Sequence, residues 1–230
     1  MRLNRYIALA GVASRRGAEE FIVTGRVTVN GKLCTDLATQ VTESDSVKVD
    51  GRLLRPQDFV YVLLKKPPEV LTTRSDEKSR KTIYDLLPPG LPKLAHVGRL
   101  DKESEGLLLL TNDGDLALRM THPKFKLDKE YLVTLDKEFD GADLPKVRKG
   151  IYLSEGRAKF DSLYKINSRQ VRVILTQGIK RQIRRVFAAL DYKVTRLQRT
   201  RIGPLTDDGL RLGGFRFLTS SEVSTLKQSK

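Results

Sequence analysis

Apolar side chains recur along this chain first at helical and then at strand-like spacing, and residues 1–60 keep a rhythm of their own. Leu3, Tyr6, Ile7 and Ala10 fall about one helical turn apart and stop at Gly11, a natural C-terminal cap. Ser14 is placed to cap a second helix with Ala18, Phe21 and Ile22 on its apolar side, ending near Gly25. Val27-Thr28-Val29 then alternates into Asn30-Gly31, and Val47-Lys48-Val49 meets Asp50-Gly51 in the same way. Both are two-residue hairpin signals. The pattern predicts two short helices followed by small hairpins.

Beyond Arg55-Pro56-Gln57-Asp58, which reads as a short linker, strand-like runs cover residues 60–64, 106–110, 130–135 and 171–175. Short helices and Pro-rich breaks at 66–68 and 87–90 separate them. Four consecutive leucines, Leu107 to Leu110, mark a strand buried on both faces. Asn112 or Asp113 can then cap a helix containing Leu116, Ala117 and Met120. Ile179, Ile183, Val186, Phe187 and Leu190 share one helical face. Arg184 lies at the edge of that stripe, where its stem can pack while its head reaches a cleft, whereas Arg181 and Arg185 point to solvent. The expected fold class is α+β: a small module over residues 1–58, then a larger domain over 59–230 on a mixed, mostly antiparallel sheet.

Charge sharpens the picture. The 230 residues carry 43 Lys and Arg against 28 Asp and Glu, a net +15. Residues 1–60 hold 9 basic and 7 acidic side chains, net +2, but residues 177–201 hold 8 and 1, net +7. Such a concentrated patch favours a polyanionic partner. No apolar run approaches the roughly 20 residues that cross a bilayer, and Met1-Arg2-Leu3-Asn4-Arg5 lacks the apolar core of a signal peptide. No membrane association is expected. One cysteine, Cys34, excludes an internal disulfide and suits a reducing compartment. Two histidines and one thiol make no zinc-type cluster, and no phosphate-binding or dinucleotide glycine loop is present. Neither metal nor cofactor is expected.

Two stretches carry a resemblance. Arg2-Leu3-Asn4-Arg5, Ala13-Ser14-Arg15-Arg16 and the run Gly25-Arg26-Val27-Thr28-Val29-Asn30-Gly31 resemble the S4 RNA-binding domain over residues 1–52. On their own residues, Arg2, Arg5, Arg15, Arg16 and Arg26 are a solvated charged face. The resemblance implies phosphate contacts to folded RNA, which position more than they specify.

The second stretch begins Gly98-Arg99-Leu100-Asp101-Lys102-Glu103-Ser104-Glu105-Gly106 and continues through the four leucines to Gly114. It sets Asp101 in a charged, Gly-bounded loop directly before a buried strand. A single loop aspartate has many ordinary explanations, but the run as a whole resembles the catalytic motif of pseudouridine synthases. That resemblance makes Asp101 the catalytic carboxylate and Arg99 an RNA contact. Tyr131, in Lys129-Glu130-Tyr131-Leu132-Val133, would by itself be a partly buried strand aromatic; the resemblance has it stack on the target base. Stacking contributes roughly 1–3 kcal/mol, against the few kcal/mol that extruding a nucleotide costs. Arg184, in Gln182-Ile183-Arg184, would pair with Asp101 through its planar fork. Lys180, Arg181 and Arg185 would contact phosphates.

Nearly the full length resembles a bacterial S4-class ribosomal RNA pseudouridine synthase. The 102–106 form of the aspartate loop and the run 197–202 lean towards large-subunit RNA. Ser104 stands where threonine is common and Gln177 where glutamate is common, which bears on substrate choice more than on chemistry. The implied reaction extrudes a uridine, cleaves its glycosidic bond, rotates the uracil and rejoins it through C5. The implied setting is a cytoplasmic monomer acting on ribosomal RNA or an assembling ribosomal subunit. The main rival is a non-catalytic S4-type RNA-binding or ribosome-assembly factor, which needs no Asp101, Tyr131 and Arg184 trio. An RNA-cleaving enzyme is disfavoured by the scarcity of histidines and of clustered carboxylates.

Overall fold

The computed structural model describes residues 1–125, 127–207 and 209–228. They divide into two units, Met1–Val60 with Leu91–Lys93, and Tyr61–Gly90 with Leu94–Lys230.

In the smaller unit, helical spacing yields α1 (Leu3–Leu9) and α2 (Arg15–Val23), the latter capped by the Ser14 hydroxyl accepting from the Gly17 amide at 3.1 Å. Strands β1 (Val27–Val29), β2 (Lys32–Leu33), β3 (Val47–Val49) and β4 (Arg52–Leu53) form an antiparallel sheet in the order β2-β1-β3-β4. Asn30 and Asp50 adopt φ of 51° and 49°, each followed by a left-handed glycine, the backbone that a two-residue hairpin turn demands. Leu3, Tyr6, Ile7, Ala18 and Ile22 close over Val27, Val47 and Val49 to make the core.

The larger unit contains β5 (Tyr61–Lys66), β6 (Ala95–Val97), β7 (Glu105–Thr111), α3 (Gly114–Thr121), β8 (Lys129–Leu135) and α4 (Leu144–Lys149). After these come β9 (Ile151–Leu153), β10 (Gly156–Ala158), β11 (Ser162–Lys165), β12 (Gln170–Leu175) and α5 (Gln182–Ala188). The last elements are β13 (Val194–Ile202), β14 (Leu205–Thr206), β15 (Phe215–Phe217) and α6 (Ser220–Gln228). A nine-stranded sheet runs β11-β12-β8-β13-β7-β5-β15, with β6 added to β7 and β14 to β13. Only the β7–β13 pair is parallel, among the described residues, and its register spans just Gln198↔Glu105 and Arg199↔Gly106. β9 and β10 form a separate hairpin.

All seven residues of β7 are buried, as its leucine run requires. Asp113 caps α3 by accepting from the amides of Asp115 and Leu116, both at 3.2 Å. One apolar cluster packs α4 and α5 on β8, β12 and the first half of β13; another packs α3 and α6 on β5, β7 and Ile202. The helix expected from Ile179 begins instead at Gln182. The buried Gln182 amide explains the shift: it donates to Lys159 O at 3.0 Å and Gln177 Oε1 at 2.9 Å, and accepts from the Ile179 amide at 3.3 Å. Those bonds hold residues 177–181 as a loop.

Candidate active site

The Asp101 loop is fastened through its backbone. Ser104 N donates to Asp101 O at 3.1 Å, closing the turn. Thr72 Oγ1 donates to Leu100 O at 2.8 Å, and Glu69 N to Lys102 O at 2.8 Å. Beneath the loop, the wholly buried Lys66 ammonium donates to Pro67 O at 2.9 Å, Lys102 O at 3.2 Å and Ser104 O at 2.8 Å. Three donors meet three carbonyls, so the cation is satisfied without a carboxylate in contact. Burial pushes its pKa down to about 8, opposed by the acidic fields of Glu69, Asp101, Glu103 and Glu105. With the backbone pinned, the Asp101 side chain stays about one-third exposed, available to a ligand.

Two arginines reach this loop. Arg181 stands at the N-cap of α5 with a left-handed φ of 52°. Its Nη1 lies 3.7 Å from Asp101 Oδ2 and 3.0 Å from Glu103 Oε2. That hydrogen bond holds the Glu103 carboxyl below its usual range. Arg184, one turn on, donates to Val194 O at 2.9 Å and more loosely to Glu103 O at 3.5 Å and Ser104 Oγ at 3.4 Å. The expected Asp101–Arg184 ion pair is therefore not the one formed: the guanidinium within pairing range of Asp101 is that of Arg181. Arg184 sits at the core edge and its terminal nitrogens face two backbone oxygens and the Ser104 hydroxyl, so it braces the loop. Burial and the neighbouring Arg181 lower its pKa, while Glu103 and Asp101 raise it.

Tyr131 lies on β8, opposite Val173 on one side and Arg199 on the other. It is 8% exposed and belongs to one apolar cluster with Leu100 and Ile183, the chain neighbours of Asp101 and Arg184. Segments thirty and eighty residues beyond the loop thus share one core with its Leu100. Arg199 is almost fully buried, with Nε donating to Leu107 O at 2.6 Å where β7 and β13 part company.

Among the expected RNA contacts, Arg99 and Lys180 are exposed, as are Arg2, Arg15, Arg16 and Arg26, while Arg5 is half-buried. Arg26 forks onto Asp50, at 2.9 and 2.6 Å. Arg185 does not project freely to solvent: it binds Glu155 at 2.7 Å and Ser154 Oγ at 2.8 Å. Among the described residues no cluster of His, Cys, Asp and Glu is arranged to hold a metal ion, and no helix is long and apolar enough to cross a membrane.

Sequence reasoning passed over Lys66 and Thr72. The signal was present for Lys66: Val62, Leu64 and Lys66 alternate, which directs the lysine to the same buried side as the two aliphatics.

The RNA pseudouridylate synthase family model matches residues 60–189, and the S4 domain model matches residues 1–47. The chain belongs to the RNA pseudouridine synthase family and carries an S4 domain at its N-terminus. The readings as a non-catalytic binder or an RNA-cleaving enzyme fall with that finding. Among relatives, a ribosomal large subunit pseudouridine synthase B of Bacillus subtilis is 40% identical, over 98% of this chain and 95% of its own. A dual-specificity RNA pseudouridine synthase, RluF, of Salmonella typhi is 38% identical, over 98% of this chain and 78% of its own. A crystal structure of a pseudouridylate synthase superposes with a TM-score of 0.72 at 32% identity, covering 98% and 99% of the two chains.

Proposed function

We propose that this pseudouridine synthase isomerises a uridine of large-subunit ribosomal RNA in the cytoplasm, acting as a monomer on the RNA or an assembling subunit. The 40% identity to a large-subunit enzyme over nearly the whole chain supports the substrate class. Residues 1–58 grip RNA, with Arg2, Arg5, Arg15, Arg16 and Arg26 as phosphate contacts, and residues 59–230 carry the chemistry. Arg99, Lys180 and Arg181 serve as phosphate contacts around the Asp101 loop, whereas the Arg185 side chain is held by Glu155 and Ser154.

The observation that supports the assignment of roles is that Leu100, Tyr131 and Ile183 share one core cluster while Arg184 touches Glu103 and Ser104 of the Asp101 loop. Asp101 acts on the ribose, either by attack at C1′ or by drawing the C2′ proton. Tyr131 supports the extruded base, and Arg184 braces the loop that aims the carboxylate. The N1–C1′ bond breaks, the C5–C1′ bond forms and the C5 proton is exchanged for one at N1, so atoms balance without a co-reactant. A water-poor pocket keeps the freed uracil from escaping.

Asp101→Asn is isosteric and abolishes the carboxylate. It is expected to eliminate pseudouridine formation on ribosomal RNA transcripts while RNA affinity stays near wild type. Retained turnover would refute the assignment.

A further inference from the structure

We propose that the corner formed by α4 and the β9–β10 hairpin is a second RNA-contact surface, one that seats an unpaired nucleotide of the substrate away from the Asp101 loop. The proposal rests on the reading of the chain as an enzyme acting on RNA and extends it to an unassigned surface.

α4 ends in Arg148 and Lys149, and a cleft of about 300 Å³ opens beside it, walled by Arg148, Lys159 and Tyr164. That volume lies at the lower end of the roughly 300–1,000 Å³ typical of small-ligand sites. None of Arg148, Lys149 and Lys159 forms an ion pair with a described residue. The local acids are already engaged. Asp161 accepts from the amide of Thr176 at 2.6 Å and from its hydroxyl at 3.0 Å. Glu155 is paired with Arg185. What remains among the described residues is a positive balance, with Arg148, Lys149 and Lys159 set against the single carboxylate of Asp161.

Cations at a helix C-terminus have an ordinary explanation in the helix dipole. The aromatics do not share it. Tyr152 on β9 is 79% exposed and Tyr164 on β11 is 54% exposed. Directly across the hairpin from Tyr152, Arg157 places its guanidinium 6.0 Å from the ring centroid, stiffening the platform. Its other contact, the carbonyl of Lys149, ties the hairpin to the end of α4. Exposed rings among unpaired cations are the furniture of single-stranded nucleic acid binding: the rings stack on bases and the cations follow the phosphates. The apolar part of the cleft wall, Val147, Phe160 and Leu163, is at most 5% exposed and belongs to the core, so it offers an apolar protein partner little to cover. The surface is also coupled to the site, because Arg185 of α5 grips Ser154 and Glu155 in the hairpin turn, next to Arg184.

The experiment uses the full-length chain and a protein-free ribosomal RNA transcript. Tyr152→Ala is expected to raise KM, and the dissociation constant measured in an Asp101→Asn background, about tenfold. Tyr152→Phe keeps the ring and is expected to bind as wild type. Arg148→Ala with Lys159→Ala is expected to shallow the slope of log affinity against log salt by about 1.4, two single-strand contacts. Unchanged KM, affinity and slope in all these variants would overturn the surface. So would effects that appear only with protein-containing ribosomal particles, which would mark a protein partner. Because binding is read in the Asp101→Asn background, a failure of the catalytic reading would leave this result intact and separately legible.

Discussion

Arg181 and Arg184 approach one carboxylate loop by different means, and their environments set what each contributes. Arg181 is 39% exposed and 3.7 Å from Asp101, a geometry that in water is worth about 0–1 kcal/mol. Arg184 is partly buried and holds three oxygens with one planar fork. Arg181→Ala is therefore expected to lower kcat less than about fivefold, the equivalent of 1 kcal/mol. Arg184→Lys keeps the charge but loses the fork, and is expected to lower kcat more than tenfold. Single-turnover rates on saturating RNA check the order. The reverse order would make Arg181 the principal partner of Asp101.

Lys66 gives a second residue-scale expectation. Its folded pKa of about 8 lies below the ordinary lysine value of 10.5. Above pH 8 the folded protein releases this proton before the unfolded chain does. By linkage, the group's contribution to stability then rises as pH climbs from 8 towards 10.5. The neutral amine, however, has one donor fewer for three carbonyls, so the loop loosens. Activity is expected to fall with an apparent pKa near 8 while the melting temperature does not fall in step. A parallel loss of both would place the titrating group elsewhere. Lysines are exposed on average, so composition gave no warning of this one.

At the scale of elements, legibility followed the range of the interactions. The Asn30-Gly31 and Asp50-Gly51 hairpins, the Ser14 cap and the buried leucine strand were readable because local geometry decides them. The start of α5 was not, because Gln182 answers to Lys159, 23 residues away. Nor was the Asp101–Arg181 contact: periodicity placed Arg181 on a solvent-facing turn, and its left-handed backbone redirects the side chain. Gly106 is the clearest element-scale constraint. At φ of 107°, a Cβ there would sit 2.2 Å from Arg199 O and 2.6 Å from Arg199 N, both backbone atoms that cannot yield. Gly106→Ala is expected to cost more than about 4 kcal/mol, by separating β7 from β13. Denaturant unfolding with the slope held fixed measures it; a loss under 1 kcal/mol would mean that the strands part cheaply.

For the whole molecule, net +15 carried the one partner class that sequence alone supported, and its distribution matters for affinity. Arg2, Arg15 and Arg16 are exposed on the S4 unit. Replacing all three by alanine is expected to reduce the salt slope of RNA binding by about 2–3. Turnover at saturating RNA should be far less affected than affinity. Filter binding across a salt series checks this, and an unaltered slope would move the phosphate contacts to other residues.

The two-pair parallel junction between β7 and β13 also has a mechanical meaning. It joins two antiparallel packets of the sheet along a seam only two registered pairs long. Asp101 leads into one packet, and Tyr131 belongs to the other. The span between acid and ring is therefore set across the two registered pairs, Gln198 with Glu105 and Arg199 with Gly106, and Leu100 and Tyr131 share the core that backs it.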